Sequence, residues 1–494
     1  MSRACTVLRA PALLALVLPL TVALGTASSP APAAADDTAA STSLADPEAR
    51  AAGTRGAPGI GDPYFPLDGN GGYDVAHYSV RDSYDQARDR LEGTTTIRAT
   101  ATQDLARFDL DLLLDATSVR VDGRPATATS RGGHELVVRP VRAIRAGQAF
   151  TVRVAYAGHP APISYLGERT WLTNGDETVT MNQPHMAPWW FAANDHPLDK
   201  AMYDVRITAR ADRQVVSNGR LVRRTARPDG TATTHWRTTE PMATYLAYFA
   251  LGRYEIRSGT SQGLPFVAAV SKEIAQPQRR TAMAAMLRTP EIVRWLETQV
   301  GPYPFSSTGG LTTSLQPGFA LENQTRPTYP LLGADREQVM VHELAHQWFG
   351  DSVSIAGWRD IWLNEGLATW FEARWTEAQG GESTQAWLER SYAARLDQGA
   401  FWSVPVSDPG AARIFDTAVY LRGGMATQAL RTRIGQAAFD SLLRTWASTR
   451  RGGNGTSAQF EALAAQVSGT DLTSFFDAWL RSPTPPAHTS ANGF

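Results

Sequence analysis

Between residues 62 and 258, apolar and polar residues alternate over short stretches, the period-two pattern of half-buried strands. Stretches 76–80, 94–101, 108–114, 134–138, 150–156, 203–209 and 245–251 all read this way. Asp122-Gly123, Asn174-Gly175, Asn218-Gly219 and Asp229-Gly230 are hairpin-type dipeptides among them. This part is predicted to be all-β, with Trp189-Trp190-Phe191 in its core. From residue 259 the pattern turns helical. Helices are expected over 278–301 with a break at Pro290, then over 336–349, 358–372, 384–399, 417–434, 437–450, 457–467 and 472–481. Stretch 309–316 reads as a strand. The expected class is multidomain α+β: an all-β domain over 62–258, then a mainly helical domain over 259–481.

The ends of the chain have a different character. Arg3 and Arg9 flank the start of an apolar run, 10–24, that is too short to cross a bilayer. We read 1–35 as a secretory signal peptide, cleaved after Ala27 or Ala35. Residues 36–61, rich in Ala, Pro, Ser and Thr, read as a flexible leader. The Pro-rich stretch 482–494 reads as a disordered tail.

Composition narrows the options. The one cysteine, Cys5, would leave with the signal peptide, so the mature chain has no disulfide and no thiolate metal ligand. Net charge is −1, and no basic block suggests nucleic acid. After cleavage about 460 residues remain, enough for two to three domains. The expected product is a secreted monomer with no membrane attachment once the signal is gone.

The chemistry centres on His342-Glu343-Leu344-Ala345-His346. Residues four apart lie on one helical face, so His342 and His346 can aim two imidazoles at one point. Glu343, one step round, can hold a water beside a metal without ligating it. Asp335 with Gln338 reads as a cap opening this helix. Glu365 lies nineteen positions after His346 on the next predicted helix. It would complete a His₂Glu zinc site with one Zn²⁺ per chain, leaving a fourth position open. On spacing alone Glu365 could equally be a solvated carboxylate.

With these residues and their flanks, the sequence resembles the aminopeptidase N family of zinc peptidases, the gluzincins that also include the leukotriene hydrolase. The resemblance spans roughly 73–486. It rests on the zinc signature, Trp348-Phe349-Gly350, Trp362-Leu363-Asn364-Glu365-Gly366-Leu367-Ala368, Ser217-Asn218-Gly219 and Tyr303-Pro304-Phe305. It implies a β-rich domain followed by a thermolysin-like catalytic domain, without the large helical domain many members add.

By position, Phe319-Ala320-Leu321-Glu322-Asn323 corresponds to the family's Gly-x-Met-Glu-Asn stretch. That gives Glu322 the grip on the substrate's α-ammonium and puts Phe319 and Ala320 along the substrate, with Phe319 in place of a glycine. Tyr420 matches the catalytic tyrosine. Gln183 stands where many members carry a second amine-binding glutamate; the leukotriene hydrolase also has glutamine there, and Gln183 is expected to touch substrate as a neutral contact. Stretch 309–316 is expected to offer an edge strand for the substrate. The resemblance implies a metallo-aminopeptidase acting on peptides with a free N-terminus. Its alternatives are a zinc endopeptidase, hydrolysis of an epoxide-like substrate, or an exported binding module.

Overall fold

The computed structural model describes residues 54–333 and 336–494. The expected signal peptide, most of the leader and the Asp335 cap lie outside them. The β-rich half is built on an eight-stranded sheet. Its order is Arg220–Ala226, Thr231–Met242, Ala201–Arg210, Tyr73–Asp85, Arg90–Ala101, Ala149–Gly158, Asp115–Val121 and Arg124–Pro125. Strand Tyr73–Asp85 shows how sequence sets its inner face. Tyr73 and Val75 are buried, then Tyr78, Val80, Asp82 and Tyr84. The switch from odd to even positions follows a bulge between Val75 and His77, which inserts one residue and reverses the alternation.

Two smaller sheets complete this half: Phe108–Asp111, Glu135–Arg139 and Thr127–Arg131, and the set Gln214–Ser217, Phe249–Gly252, Thr178–Thr180 and Trp171–Thr173. Trp189, Trp190 and Phe191 are fully buried, and Trp190 meets Phe249 edge to face at 5.4 Å.

The mainly helical half begins a few residues earlier than residue 259. Strand Tyr254–Ser261 pairs with Leu264–Ser271, which runs parallel to Thr308–Thr312. Thr308–Thr312 then pairs with Thr328–Tyr329. It is therefore flanked on both sides, so the expected edge strand at 309–316 is corrected. The outer position belongs to Thr328–Tyr329, and Leu321 exchanges two backbone bonds with Thr328 there. Helices follow at Arg336–Ala345, Trp362–Ala378, Thr384–Ala393, Thr417–Ile434, Gln436–Thr449 and Ser457–Ser468.

Two expectations about the ends are also corrected. Residues 54–61 are not a free leader: Gly56 N–H donates to Arg107 O, Ala106 N–H to Thr54 O, and Gly71 N–H to Ala57 O. The tail 482–494 is packed, not disordered. Phe494 stacks on His488 at 4.2 Å and meets Tyr392 at 4.7 Å. The Tyr392 hydroxyl donates to Pro486 O, and Trp479 Nε1 to Asn492 O. Buried Arg422 donates to the carbonyls of Trp479, Ala478 and Ser482. A buried guanidinium must be satisfied; the Ser482 carbonyl at the start of the tail supplies one acceptor, beside those of Ala478, Trp479, Trp402 and Val404.

The two halves are bolted together by Lys200, from the β-rich half. Its Nζ donates to Asp351 O at 3.0 Å, Ser352 O at 2.9 Å and Gly453 O at 3.0 Å.

Candidate active site

His342 sits in the last turn of helix Arg336–Ala345, and His346 N–H still bonds to His342 O, so the helical turn runs on through His346. Glu365 lies in the first turn of helix Trp362–Ala378. The Nε2 atoms of His342 and His346 stand 3.2 and 3.4 Å from Glu365 Oε2. Ligand atoms about 2.0–2.1 Å from one tetrahedral zinc ion lie about 3.3–3.4 Å apart, so the three residues fit the metal. Their other nitrogens are fixed. His342 Nδ1 lies 2.7 Å from Glu372 Oε1, and His346 Nδ1 lies 3.0 Å from Phe349 O. Both Nε2 lone pairs are thereby free for a cation, the arrangement a zinc-binding imidazole needs.

A cavity of about 350 Å³ opens over this group. Its walls include every residue singled out from sequence: Gln183, Phe319, Ala320, Glu322, His342, Glu343, His346, Glu365 and Tyr420. Glu322 is buried, and Gln183 Nε2 and the Tyr245 hydroxyl both donate to its Oε1, at 3.1 and 3.0 Å. Gln347, one residue after His346, donates to the Glu322 carbonyl at 2.9 Å. Burial raises the Glu322 carboxyl, with His346 opposing and Glu365 adding to it.

Glu343 is buried in the cavity wall. Burial pushes its carboxyl up to about 8, with Glu322 and Glu365 adding and the two histidines opposing. A carboxyl near neutrality suits a group that both takes and returns a proton. Burial, then Glu365, Glu322 and Glu343, hold the Tyr420 phenol well above its ordinary range, so at neutral pH it is a hydrogen-bond donor.

Tyr420 reaches the site because two helices touch at glycines. A Cβ on Gly366 would stand 2.8 Å from Gly423 backbone, and one on Gly423 would stand 2.9 Å from Gly366 Cα. This close crossing brings Thr417–Ile434 against Trp362–Ala378 at the residue after Glu365 and one turn after Tyr420. The Tyr420 and His342 rings lie nearly parallel, 6.1 Å apart.

Sequence reading missed Glu372 and Tyr245. Glu372 lies seven residues after Glu365, two turns along the same helical face, which was a usable signal. Tyr245 comes from the β-rich half and left no local signal. The glycosylation-type triplet Asn323-Gln324-Thr325 is fully buried.

Both halves of the sequence match domains of one family. Residues 75–246 match the Peptidase M1 N-terminal domain, and residues 321–479 match the Peptidase family M1 domain. The chain belongs to peptidase family M1.

An M1 zinc metallopeptidase from Deinococcus radiodurans, in a mutant form bound to a Tyr-Ser-Ala substrate, is similar with a TM-score of 0.77 and 29% identity. The match covers 87% of this chain and 98% of that one. Aminopeptidase N of Lactococcus lactis subsp. lactis is 26% identical over 357 residues, 66% of this chain and 41% of that protein. The thyrotropin-releasing hormone-degrading ectoenzyme of Mus musculus is 27% identical over 314 residues, 58% of this chain and 29% of that protein. The chain thus spans less than half the length of these two curated relatives, while it covers the Deinococcus M1 metallopeptidase almost completely. The β-rich half followed by a helical catalytic half is the M1 architecture expected from sequence.

Proposed function

We propose that this M1 protein is a zinc aminopeptidase, removing N-terminal residues from peptides. The observation that carries the reading is the placing of Glu322. A buried carboxylate, steadied by Gln183 and Tyr245, lines the same cavity as the His₂Glu group and Glu343. A carboxylate there pairs with the α-ammonium of a substrate and sets the first peptide bond beside the histidines. A zinc ion held by His342, His346 and Glu365 would polarise the scissile carbonyl and make a water more acidic.

Glu343 takes a proton from the attacking water on its carboxylate and returns it to the leaving amine nitrogen. The Tyr420 hydroxyl donates to the carbonyl oxygen as negative charge builds there. Phe319 and Ala320 form the wall along which the substrate backbone runs, beside the strand pairing of Leu321 with Thr328.

We further propose one catalytic zinc per chain, a monomer, and export by the N-terminal apolar segment. Arg3 and Arg9 ahead of the apolar run 10–24 support export; no helix of the described residues is long and apolar enough to cross a membrane. The test compares a dipeptide amide bearing a free amine with its N-acetyl form. A peptide N-terminus has a pKa of about 8, so much of it is charged at neutral pH. The free-amine substrate is cleaved and the acetylated one spared. Equal cleavage of both would replace the aminopeptidase reading with an endopeptidase.

A further inference from the structure

A second group of buried ligand-type side chains lies in the β-rich half, and none of it lines the catalytic cavity. Asp111 and Glu135 end the paired strands Phe108–Asp111 and Glu135–Arg139, directly opposite each other in the antiparallel register. Like charges in that position repel. Here both are almost fully buried, at 1% and 3% exposure, which removes the water that would screen them. Neither oxygen of Glu135, nor Oδ1 of Asp111, has a hydrogen-bond partner among the described residues. The other Asp111 oxygen is satisfied, by Asn70 Nδ2 at 3.2 Å and Asp195 N–H at 2.6 Å.

Nearby acids have their own partners. Asp68 pairs with His185 at 2.7 Å and Asp109 with Arg107 at 2.8 Å. Asp111 and Glu135 are left sharing one imidazole. His134 Nε2 stands 3.7 Å from Asp111 Oδ1 and 3.5 Å from Glu135 Oε1. These separations are too long for hydrogen bonds. They are close to the spacing of about 3.3–3.4 Å between ligand atoms that share one tetrahedral divalent ion. The three ligand atoms all lie within 4.8 Å of one another. The oxygens that face the imidazole nitrogen are the unpartnered ones.

We propose that Asp111, His134 and Glu135 bind a structural divalent transition-metal cation, additional to the catalytic one. The imidazole ligand selects an ion of the zinc or manganese class over calcium or magnesium, whose sites are built from oxygen. His134 Nε2 also hydrogen-bonds to the Leu67 carbonyl, to which it donates at 3.1 Å, and lies 3.3 Å from the Tyr165 hydroxyl. A bound ion takes the place of that Nε2 proton, with the ring N–H moving to Nδ1, which has no partner among the described residues, and the two oxygens then stand as further ligands. The ion joins the strand ends to the segment carrying Leu67 and Asn70. That segment also holds Asp68, the partner of His185, two residues after the Gln183 that reaches Glu322. Its role is therefore to brace the β-rich wall of the active-site cavity.

The test uses the full chain with His342→Ala and His346→Ala, which leaves the β-rich site as the remaining metal centre. After chelator treatment and gel filtration, Mn²⁺ and Zn²⁺ are titrated separately, with metal content and melting temperature as readouts. One equivalent should bind, and the melting temperature should rise by several degrees. Adding Glu135→Gln should abolish both effects. No binding and no shift in the double variant would overturn the proposal, whether or not the Glu135→Gln protein folds. So would a folded Glu135→Gln protein that binds the ion unchanged. If the double variant binds nothing and Glu135→Gln melts higher than it, the carboxyl pair is simply protonated, and the metal site is refuted.

Discussion

Glu372 offers a sharp test of how the helix pair prepares a zinc site, because it acts on a ligand without being one. Its Oε1 lies 2.7 Å from His342 Nδ1. With Nδ1–H donating there, Nε2 is held as the free lone pair facing Glu365. Glu372→Gln keeps an acceptor at that place but removes the charge. A hydrogen bond to a charged group contributes about 1.5–3 kcal/mol and a neutral one about 0.5–1.5 kcal/mol. The difference, about 1 kcal/mol, corresponds to about fivefold weaker zinc binding. Glu372→Ala removes the acceptor entirely, and loss of such an outer partner costs about 10–100-fold. The Glu372 side chain is 33% exposed, so water can replace part of the lost bond. The expected loss is therefore at the lower end, about tenfold. His346 should be unaffected, since its Nδ1 is held by a backbone carbonyl. The assay is competition for zinc with a fluorescent chelator, together with activity in zinc-buffered solution. Zinc should bind in the order wild type, Glu372→Gln, Glu372→Ala, and saturating zinc should restore most activity. If Glu372→Ala bound zinc as tightly as wild type, the 2.7 Å contact would have no part in orienting His342.

Three other outcomes are expected. Glu343→Gln should keep its zinc, measured by metal analysis, while kcat falls by about 10²–10⁴-fold; a near-normal kcat would remove Glu343 from the mechanism. Tyr420→Phe should lower kcat more than it raises KM, as for a group acting on the transition state, and a change confined to KM would make it a binding residue. Lys200→Met should remove one donor from each of three buried carbonyls, which keep Ser354 Oγ, Gly452 N–H and Ser354 N–H respectively, so the loss is that of made hydrogen bonds, about 0.5–1.5 kcal/mol each; calorimetry should show a lower Tm, and an unchanged Tm would mean the bolt contributes nothing.

The parts of the site legible in the sequence are those carried by short-range spacing. His342 and His346, four apart, needed only helical geometry, whereas Glu365 on the next helix became a ligand through the family resemblance of its flanks. The cavity also gathers Gln183, Phe319, Ala320, Glu322 and Tyr420, which were placed by family resemblance because their meeting depends on long-range contacts. Tyr420 is an instance. Its approach to Glu365 depends on Gly366 and Gly423 touching across 57 residues of chain, and neither glycine announces a partner. Strands were readable from alternation at 76–80, 94–101, 150–156 and 203–209, whereas 245–251 opens in the short helical turn Thr244–Leu246 and 108–114 is strand only to Asp111; where the alternation in Tyr73–Asp85 changed phase a bulge explains it.

What could not be read was which backbone is held down by something distant. Stretch 54–61 continues a leader rich in Ala, Pro, Ser and Thr, and 482–494 is itself Pro-rich and polar, compositions typical of unfolded chain. Composition measures what a segment can bury by itself. It does not register a guanidinium elsewhere that needs carbonyl acceptors, as Arg422 does from Ser482, or a ring stack waiting at Tyr392 and Trp479 for Phe494. The same limit hid Tyr245 and the edge position of Thr328–Tyr329. Glu322 draws its two side-chain donors, Gln183 and Tyr245, from the β-rich half, while its backbone is fixed by Gln347 on the metal-binding turn. The amine anchor we propose is thus a property of the two halves packed together, and the β-rich half helps to build the cavity as well as support it.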